Sequence, residues 1–423
     1  MNRSFAYPTI TERAPVILTK ALDTLHREWR DYLSESTIKL TDDQVKEAEN
    51  EVKASIGQMS EMKYQMQTNK QLDDLKCSSA PDFDHWQSTI KSFVINGNYP
   101  TWFGAPWLLV ECYMYRRIAD ILMQTKYFKT YDPFRSQKRQ TLIDNLPQIR
   151  LISKLLMKQA ESQIDDELKS WFELSLWGNR CDLSLKPDAQ QFDNVFEDLQ
   201  KLRQKILVNE LDLVLKQVKS IRANSSDTAT IDFVIDNAGF EFFTDLCLMD
   251  VLTRLLPNVQ IRIHVKSYPW FVSDVTKPDL NWILDTLADD NESSELAKVA
   301  KRWQSNIDCH KWTICESYFW TYYNPFCEMS KMSTELYQQL TKSSLIVFKG
   351  DLNYRKLLGD LMWPHTVPFE TALRGFMPAF LVALRTNKAD LIAGFDDENS
   401  GIDLPKDWMV SGDFAIIQTA KPW

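Results

Sequence analysis

The sequence predicts an α/β protein: a mainly helical N-terminal domain over residues 1–225, then an α/β domain over residues 226–423 built on a mainly parallel sheet. Three observations predict it. Through the first half, apolar residues recur every three or four positions among charged ones, as on amphipathic helices. A polar stretch, "RANSSDTAT" (Arg222 to Thr230), then interrupts the pattern. Beyond it, short β-branched runs alternate with helical segments, the signature of βαβ units with crossover helices.

Each element follows from local pattern. "TKALDTLHREWRDYL" and "IRLISKLLMKQAESQIDDELKSWFELSLW" read as helices, and "DNVFEDLQKLRQKILVNELDLVLKQVKSI" reads as one more. "NGNYPTWFGAPW" and "KPDAQQFDN" carry the Pro and Gly that punctuate between them. In the second half, "TIDFVID", "VQIRIHVKS", "SLIVFKGD", "FLVALRTN" and "FAIIQTA" read as strands, and "EFFTDLCLMDVLTRLL" as the helix after the first of them.

In a parallel sheet with crossover helices, ligands sit at the carboxyl ends of the strands. The first strand ends in Asp236-Asn237, and the second leads through "KSYPWFVSD" to Asp274. The third ends in Lys349-Gly350-Asp351, with Leu352, Asn353, Tyr354 and Arg355 following. The fourth ends in Arg385-Thr386-Asn387-Lys388. Asp236, Asn237 and Asp274 offer hard oxygens to a divalent cation. Lys349, Arg355, Arg385 and Lys388 offer charge-assisted donors to a phosphate. Each has a plain structural reading as well. Asp236 or Asn237 could cap the helix that begins near Glu241, Asp274 could close a turn, and Asp351 could cap the next helix. Polar residues at four strand ends together favour a metal-plus-anion site.

Composition narrows the function classes. The net charge of −9 over 423 residues disfavours nucleic acid and anionic membrane as main partners. Seven cysteines, widely spaced and without a CxxC, argue against structural zinc and thioredoxin-like chemistry. The N-terminus lacks an apolar signal-peptide core, and nothing approaches the ~18 consecutive apolar residues of a membrane span. The expected compartment is the cytoplasm, with the nucleus also compatible. Only 11 glycines occur, no two closer than seven residues, so the clustered glycines of dinucleotide, P-loop and common methyltransferase folds are missing. Five histidines without HExxH favour oxygen-held magnesium or manganese over zinc.

"FVIDNAGFEFFTDL", "WFVSDV", "FKGDLNYRKLLGD" and "LRTNKAD" together resemble the metal-dependent damage-control phosphatases, in the subfamily marked by an RTxK motif (Arg385 to Lys388). "PWLLVECYMYRRI" and "LWGNRCDLSL" also fit, so the resemblance runs from about Ala14 to Ala420. That subfamily takes in sugar-phosphate phosphatases and a protein named for acidic-residue methylation. The resemblance implies a helical domain packed on a Rossmann-like α/β domain. It implies a cation (Mn2+, Mg2+, Ni2+ or Co2+) on Asp236, Asn237 and Asp274, with Glu241 in the substrate pocket. Asp351, Leu352, Asn353, Tyr354, Arg355 and Lys388 would contact the phosphorylated substrate. Glu111, Arg116 and Asn179 are weaker candidates from the helical half.

Residues and resemblance converge on hydrolysis of small phosphomonoesters, such as fructose 1-phosphate-like and fructose 6-phosphate-like sugars or related damaged metabolites. Asp236 attacks phosphorus, or water does in one step; "DNAG" places Ala238 where haloacid-dehalogenase phosphatases carry a second Asp, so their mechanism does not transfer. Asp351 is the candidate acid for the leaving group or a support for the metal. Trp270, Phe271, Tyr354 and Trp363 are more simply core than pocket wall, Cys247 reads as a buried thiol, and His365 as structural. The alternative is an S-adenosylmethionine-dependent O-methyltransferase acting on protein glutamate or aspartate, which would need S-adenosylmethionine instead of a metal.

Overall fold

A computed structural model describes residues 6–35, 40–158, 161–178, 199–224, 228–396 and 403–422. Asn179 and most of "LWGNRCDLSL" lie outside the described residues. The chain divides into two compact units, the first formed by Met1–Ser136, Ser267–Ser273 and Trp320–Tyr323, the second by the remainder.

The first unit is helical. Helix Ala14–Ser34 buries Leu18, Ala21, Leu25 and Trp29, the three- and four-residue spacing read in the sequence. Helix Asp42–Gln67 starts at a capping box, with the Gln44 N–H donating to Thr41 Oγ1 (3.3 Å) and the Thr41 N–H to Gln44 Oε1 (2.9 Å). Helix Trp107–Met123 is buried on nearly every side. Its Arg116 therefore needs a partner, and forks onto Asp82 at 2.8 and 2.9 Å.

The second unit carries a seven-stranded sheet in the order β1-β7-β6-β5-β2-β3-β4. The strands are β1 (Ile206–Asn209), β2 (Ala229–Val234), β3 (Val259–Val265), β4 (Trp312–Glu316), β5 (Leu345–Lys349), β6 (Leu381–Thr386) and β7 (Ala415–Ala420). All neighbours run parallel except β6 and β7. This is the α/β class with a mainly parallel sheet. Helix Phe240–Leu255 is buried on nearly every side, Phe242, Phe243, Leu246 and Met249 together with Glu241 and Asp245. It packs against helix Glu161–Trp177.

The topology singles out one crevice. From β2 the chain proceeds outward through β3 and β4, then crosses to β5 on the other side of β2. The strand order reverses between β2 and β5, the place where open α/β sheets bind ligands beyond the strands' carboxyl ends.

One expectation needs correction. The run from Asp193 to Ile221 is not one helix: β1 occupies Ile206–Asn209, and helix Leu211–Ala223 follows it. β1 thus joins the sheet from ahead of residue 226. No helix among the described residues is long and apolar enough to cross a membrane. Cys77, Cys247, Cys309, Cys315 and Cys327 are free thiols.

Candidate active site

At the end of β2 the backbone turns through Ile235–Gly239. The Val275 N–H donates to the Asp236 carbonyl (2.9 Å), and Asn237 bridges Asp274 in antiparallel register. Two residues on, the Thr276 N–H and hydroxyl donate to Asp279 Oδ2 (2.9 and 2.6 Å) at the start of helix Lys277–Ala288. Two stretches far apart in sequence thus place Asp236, Asn237 and Asp274 side by side.

None of the three is a helix cap. Helix Phe240–Leu255 starts from Gly239, with no side chain capping it. The Asn237 amide nitrogen instead donates to Asp236 Oδ2 and Glu241 Oε2, both at 2.8 Å. Asp274 Oδ2 is buried and pairs with the Lys266 ammonium 3.0 Å away, which also donates to the Ile235 carbonyl at 2.7 Å. Burial first, then the charges of Asp274 and Glu241, push the Asp236 carboxyl well above its ordinary range, while Lys266 and Lys388 pull it back. Burial likewise raises Asp274 against the pull of Lys266.

The donor set fits a divalent cation. Asp236, Glu241, Asp245 and Asp274 are four buried carboxylates, and Lys266 and Lys349 are the two buried lysines in direct ion pairs with them. Two formal negative charges are left uncompensated in a low-dielectric setting, an arrangement that is costly without a cation. Among the described residues no three His, Cys, Asp or Glu side chains form a metal group by themselves; Asn237 would have to add an amide oxygen to the two carboxylates, a donor that suits a hard cation.

The expected phosphate donors divide. Lys349 is buried and points inward, 2.9 Å from Asp245 Oδ1 and 2.9 Å from Ser175 Oγ. Arg385 donates to Asp351 Oδ1 (2.7 Å) and to the carbonyls of Leu391 (2.8 Å) and Ala389 (2.9 Å), with its guanidinium over the Tyr354 ring. Arg355 pairs with Asp360 at 2.8 Å. These three expected donors are committed to protein partners because each is buried and a buried cation needs one. Lys388 is exposed, and its backbone N–H donates to Asp351 Oδ1 at 3.0 Å. Asp351 thus ties the β6 loop to the first turn of helix Gly350–Leu358.

Asn353 donates to the Lys349 carbonyl (2.8 Å), Tyr354 donates to Gln418 Oε1 (2.8 Å), and Leu352 is buried, so this segment is anchored internally. Trp270 is core in the first unit, Trp363 donates to the Leu358 carbonyl (3.0 Å), and His365 lies edge-on to Trp408. Burial pushes the Cys247 thiol well up, which suits an inert core residue. Lys266, Asp245 and Ser175 are site residues the sequence reading missed. Lys266 had a signal, being the residue directly after β3.

The chain is similar to known proteins over nearly its whole length. The family described as "Damage-control phosphatase ARMT1-like domain" matches residues 9–404. The chain is 37% identical over 435 residues to the damage-control phosphatase ARMT1 of Xenopus laevis, covering 98% of this chain and 96% of the relative. It is 38% identical to that of Danio rerio over 443 residues (99% and 95% covered) and 35% identical to that of Homo sapiens over 437 (99% and 97%). A solved DUF89 family protein from Pyrococcus horikoshii aligns with TM-score 0.40 and 16% identity over 75% of this chain and 90% of its own.

Proposed function

The chain belongs to the ARMT1-like damage-control phosphatases and is a phosphatase, and from that premise we propose that Asp236, Asn237 and Asp274 hold a divalent cation at which small sugar phosphates are hydrolysed. The observation that carries the reading is the convergence of these three residues at the β2–β5 crevice with two negative charges uncompensated. When bound, a divalent cation supplies Lewis-acid polarisation of a phosphoryl oxygen.

The rest of the work belongs to the chain. Helix Gly350–Leu358 starts beside Asp236, so its first backbone N–H groups are donors for non-bridging phosphoryl oxygens. Lys388, carried on a loop that Asp351 and Arg385 hold, brings a cation to the same crevice and offsets charge as the phosphoryl group transfers. Lys349, Arg355 and Arg385 keep those elements in place through their ion pairs. Asp351, with Oδ1 already accepting from Arg385 and from the Lys388 N–H, positions the loop. Fructose 1-phosphate-like and fructose 6-phosphate-like sugars are the proposed substrate class, with manganese, magnesium, nickel or cobalt as the metal. No feature of the crevice favours methyl transfer: the turn after β2 has the single glycine Gly239.

The test is phosphate release from a panel of sugar phosphates, with EDTA or each metal, for wild type and Asp236→Ala. Metal-restored release that vanishes in the variant is the expected result. Release that is unaffected by EDTA and survives in Asp236→Ala would overturn the cation site.

A further inference from the structure

Behind the Asp236–Asn237–Asp274 trio lies a closed polar cluster of Ser175, Asp245 and Lys349. Ser175, near the end of helix Glu161–Trp177, donates to Asp245 Oδ1 at 2.6 Å. Lys349 Nζ donates to Ser175 Oγ at 2.9 Å and to the Ser175 carbonyl. It also pairs with Asp245 Oδ1 at 2.9 Å and lies 3.7 Å from Glu241 Oε1. Ser175, Asp245 and Lys349 are each 0% exposed. A serine–lysine nucleophile is excluded on two counts. No solvent or substrate reaches the hydroxyl. Burial works to lower the Lys349 pKa, but Asp245 and Glu241 outweigh it and raise it, so the amine stays protonated and is no base.

Glu241 joins this cluster to the site. Its Oε1 faces Lys349 and its Oε2 accepts from Asn237 Nδ2. The other hydrogen bond from Asn237 Nδ2 goes to Asp236 Oδ2. An amide nitrogen set between two carboxylates has one attractive orientation, and its carbonyl oxygen is thereby turned to the opposite side.

We propose that Glu241 is a positioning residue: paired with Lys349, which Asp245 and Ser175 in turn hold, it fixes the Asn237 amide with its carbonyl oxygen toward the cation, and so sets metal affinity and not substrate contact. The proposal rests on the reading of Asp236, Asn237 and Asp274 as a cation site.

Glu241→Gln is the sharp test, because one oxygen of Glu241 faces the Lys349 ammonium at 3.7 Å and the other accepts from Asn237, so a glutamine must turn its NH2 toward one of these two partners. Mn2+ binding would be measured by calorimetry on the metal-stripped full chain. The KM would be measured at saturating Mn2+ for the fructose phosphate that wild type hydrolyses best. The expected result is Mn2+ binding weakened about 10–100-fold, with KM within threefold of wild type. In an Asn237→Ala background the same change should weaken Mn2+ binding no further. Ser175→Ala, which removes hydrogen bonds but no charge, should weaken it about threefold to tenfold and answers the question should Glu241→Gln fail to fold. Mn2+ affinity within threefold of wild type in both variants, or an equal loss with and without Asn237, overturns the positioning role. Wild type that binds no Mn2+ overturns the cation site itself, and this proposal with it.

Discussion

A Cβ built on Gly350 would fall 1.9 Å from Oδ2 of Asp236. The ends of β2 and β5 approach this closely because a glycine stands between them, and its φ of +83° is one that side-chain-bearing residues rarely adopt. The contact marks the switch point of the sheet and puts the start of helix Gly350–Leu358 against the first metal-ligand candidate. Gly350→Ala must move the Asp236 carboxylate or the helix start. We expect metal-dependent phosphate release to fall at least 100-fold, with a loss of about 1–2 kcal/mol in stability from the left-handed backbone alone. Phosphate release within threefold of wild type would show that the close approach is dispensable.

Phe271 and Val272 carry φ of 44° and 68°, strained values for an aromatic and a β-branched residue. Their segment belongs to the first unit, where Phe271 stacks on Tyr115 at 4.9 Å and Tyr268 donates to Asp82 at 3.3 Å. Asp274 follows two residues after Val272. Val272→Gly relieves strain of about 1–2 kcal/mol and adds flexibility that costs about 0.5–1 kcal/mol. The midpoint of thermal unfolding is therefore expected to hold or rise slightly. A fall equivalent to more than about 1 kcal/mol would mean that side-chain packing at Val272 outweighs the strain.

What could be read from the sequence follows the physics of burial. β2, β3, β5, β6 and β7 are inner strands whose buried runs stand out against polar ends. β1 and β4 are the two edges of the sheet; half-exposed and short, they lack such a run, and β1 sits within a helical periodicity. That Asp236, Asn237 and Asp274 lie together was legible because strand ends face the crevice in this class of sheet. The strand-end cations were not. Whether Lys349 points to the crevice or inward depends on Ser175 and Asp245, which come from helices that packing alone brings behind β5. Arg385 likewise serves the backbone of its own loop.

Asp232, in the middle of β2, is buried beneath a pairing that spans the sheet. Arg262, its register partner on β3, forks onto it at 2.7 Å twice, and His264 Nε2 lies 2.7 Å from Oδ1. Burial pushes the carboxyl up, but the His264 hydrogen bond and charge, then Arg262, outweigh it and hold the pKa below the ordinary value. A depressed folded pKa contributes stability that is present above the unfolded value and lost as pH falls through the folded one. Asp232→Asn strands Arg262 and is expected to cost about 3–5 kcal/mol at pH 7, read by urea unfolding. The gap between wild type and variant should narrow below about pH 4; a gap constant with pH would mean the charge is not what stabilises.

Asp245 gives the opposite sign. Burial first raises its pKa, with Glu241 adding and Lys349 and Ser175 opposing, to about 6. A carboxyl raised above its unfolded value favours the folded state while protonated, so its contribution is full below the unfolded pKa and is lost as pH rises through the folded one. The window runs from about pH 4, the ordinary Asp value, to the raised value near 6. The loss is up to ~3 kcal/mol at 1.36 kcal/mol per unit. Urea unfolding in EDTA, from pH 4 to 7, should therefore show wild type losing stability relative to Asp245→Asn up to about pH 6.5, then running parallel to it. Parallel curves throughout would show that Asp245 titrates alike in both states and that the cluster behind Glu241 imposes no such cost.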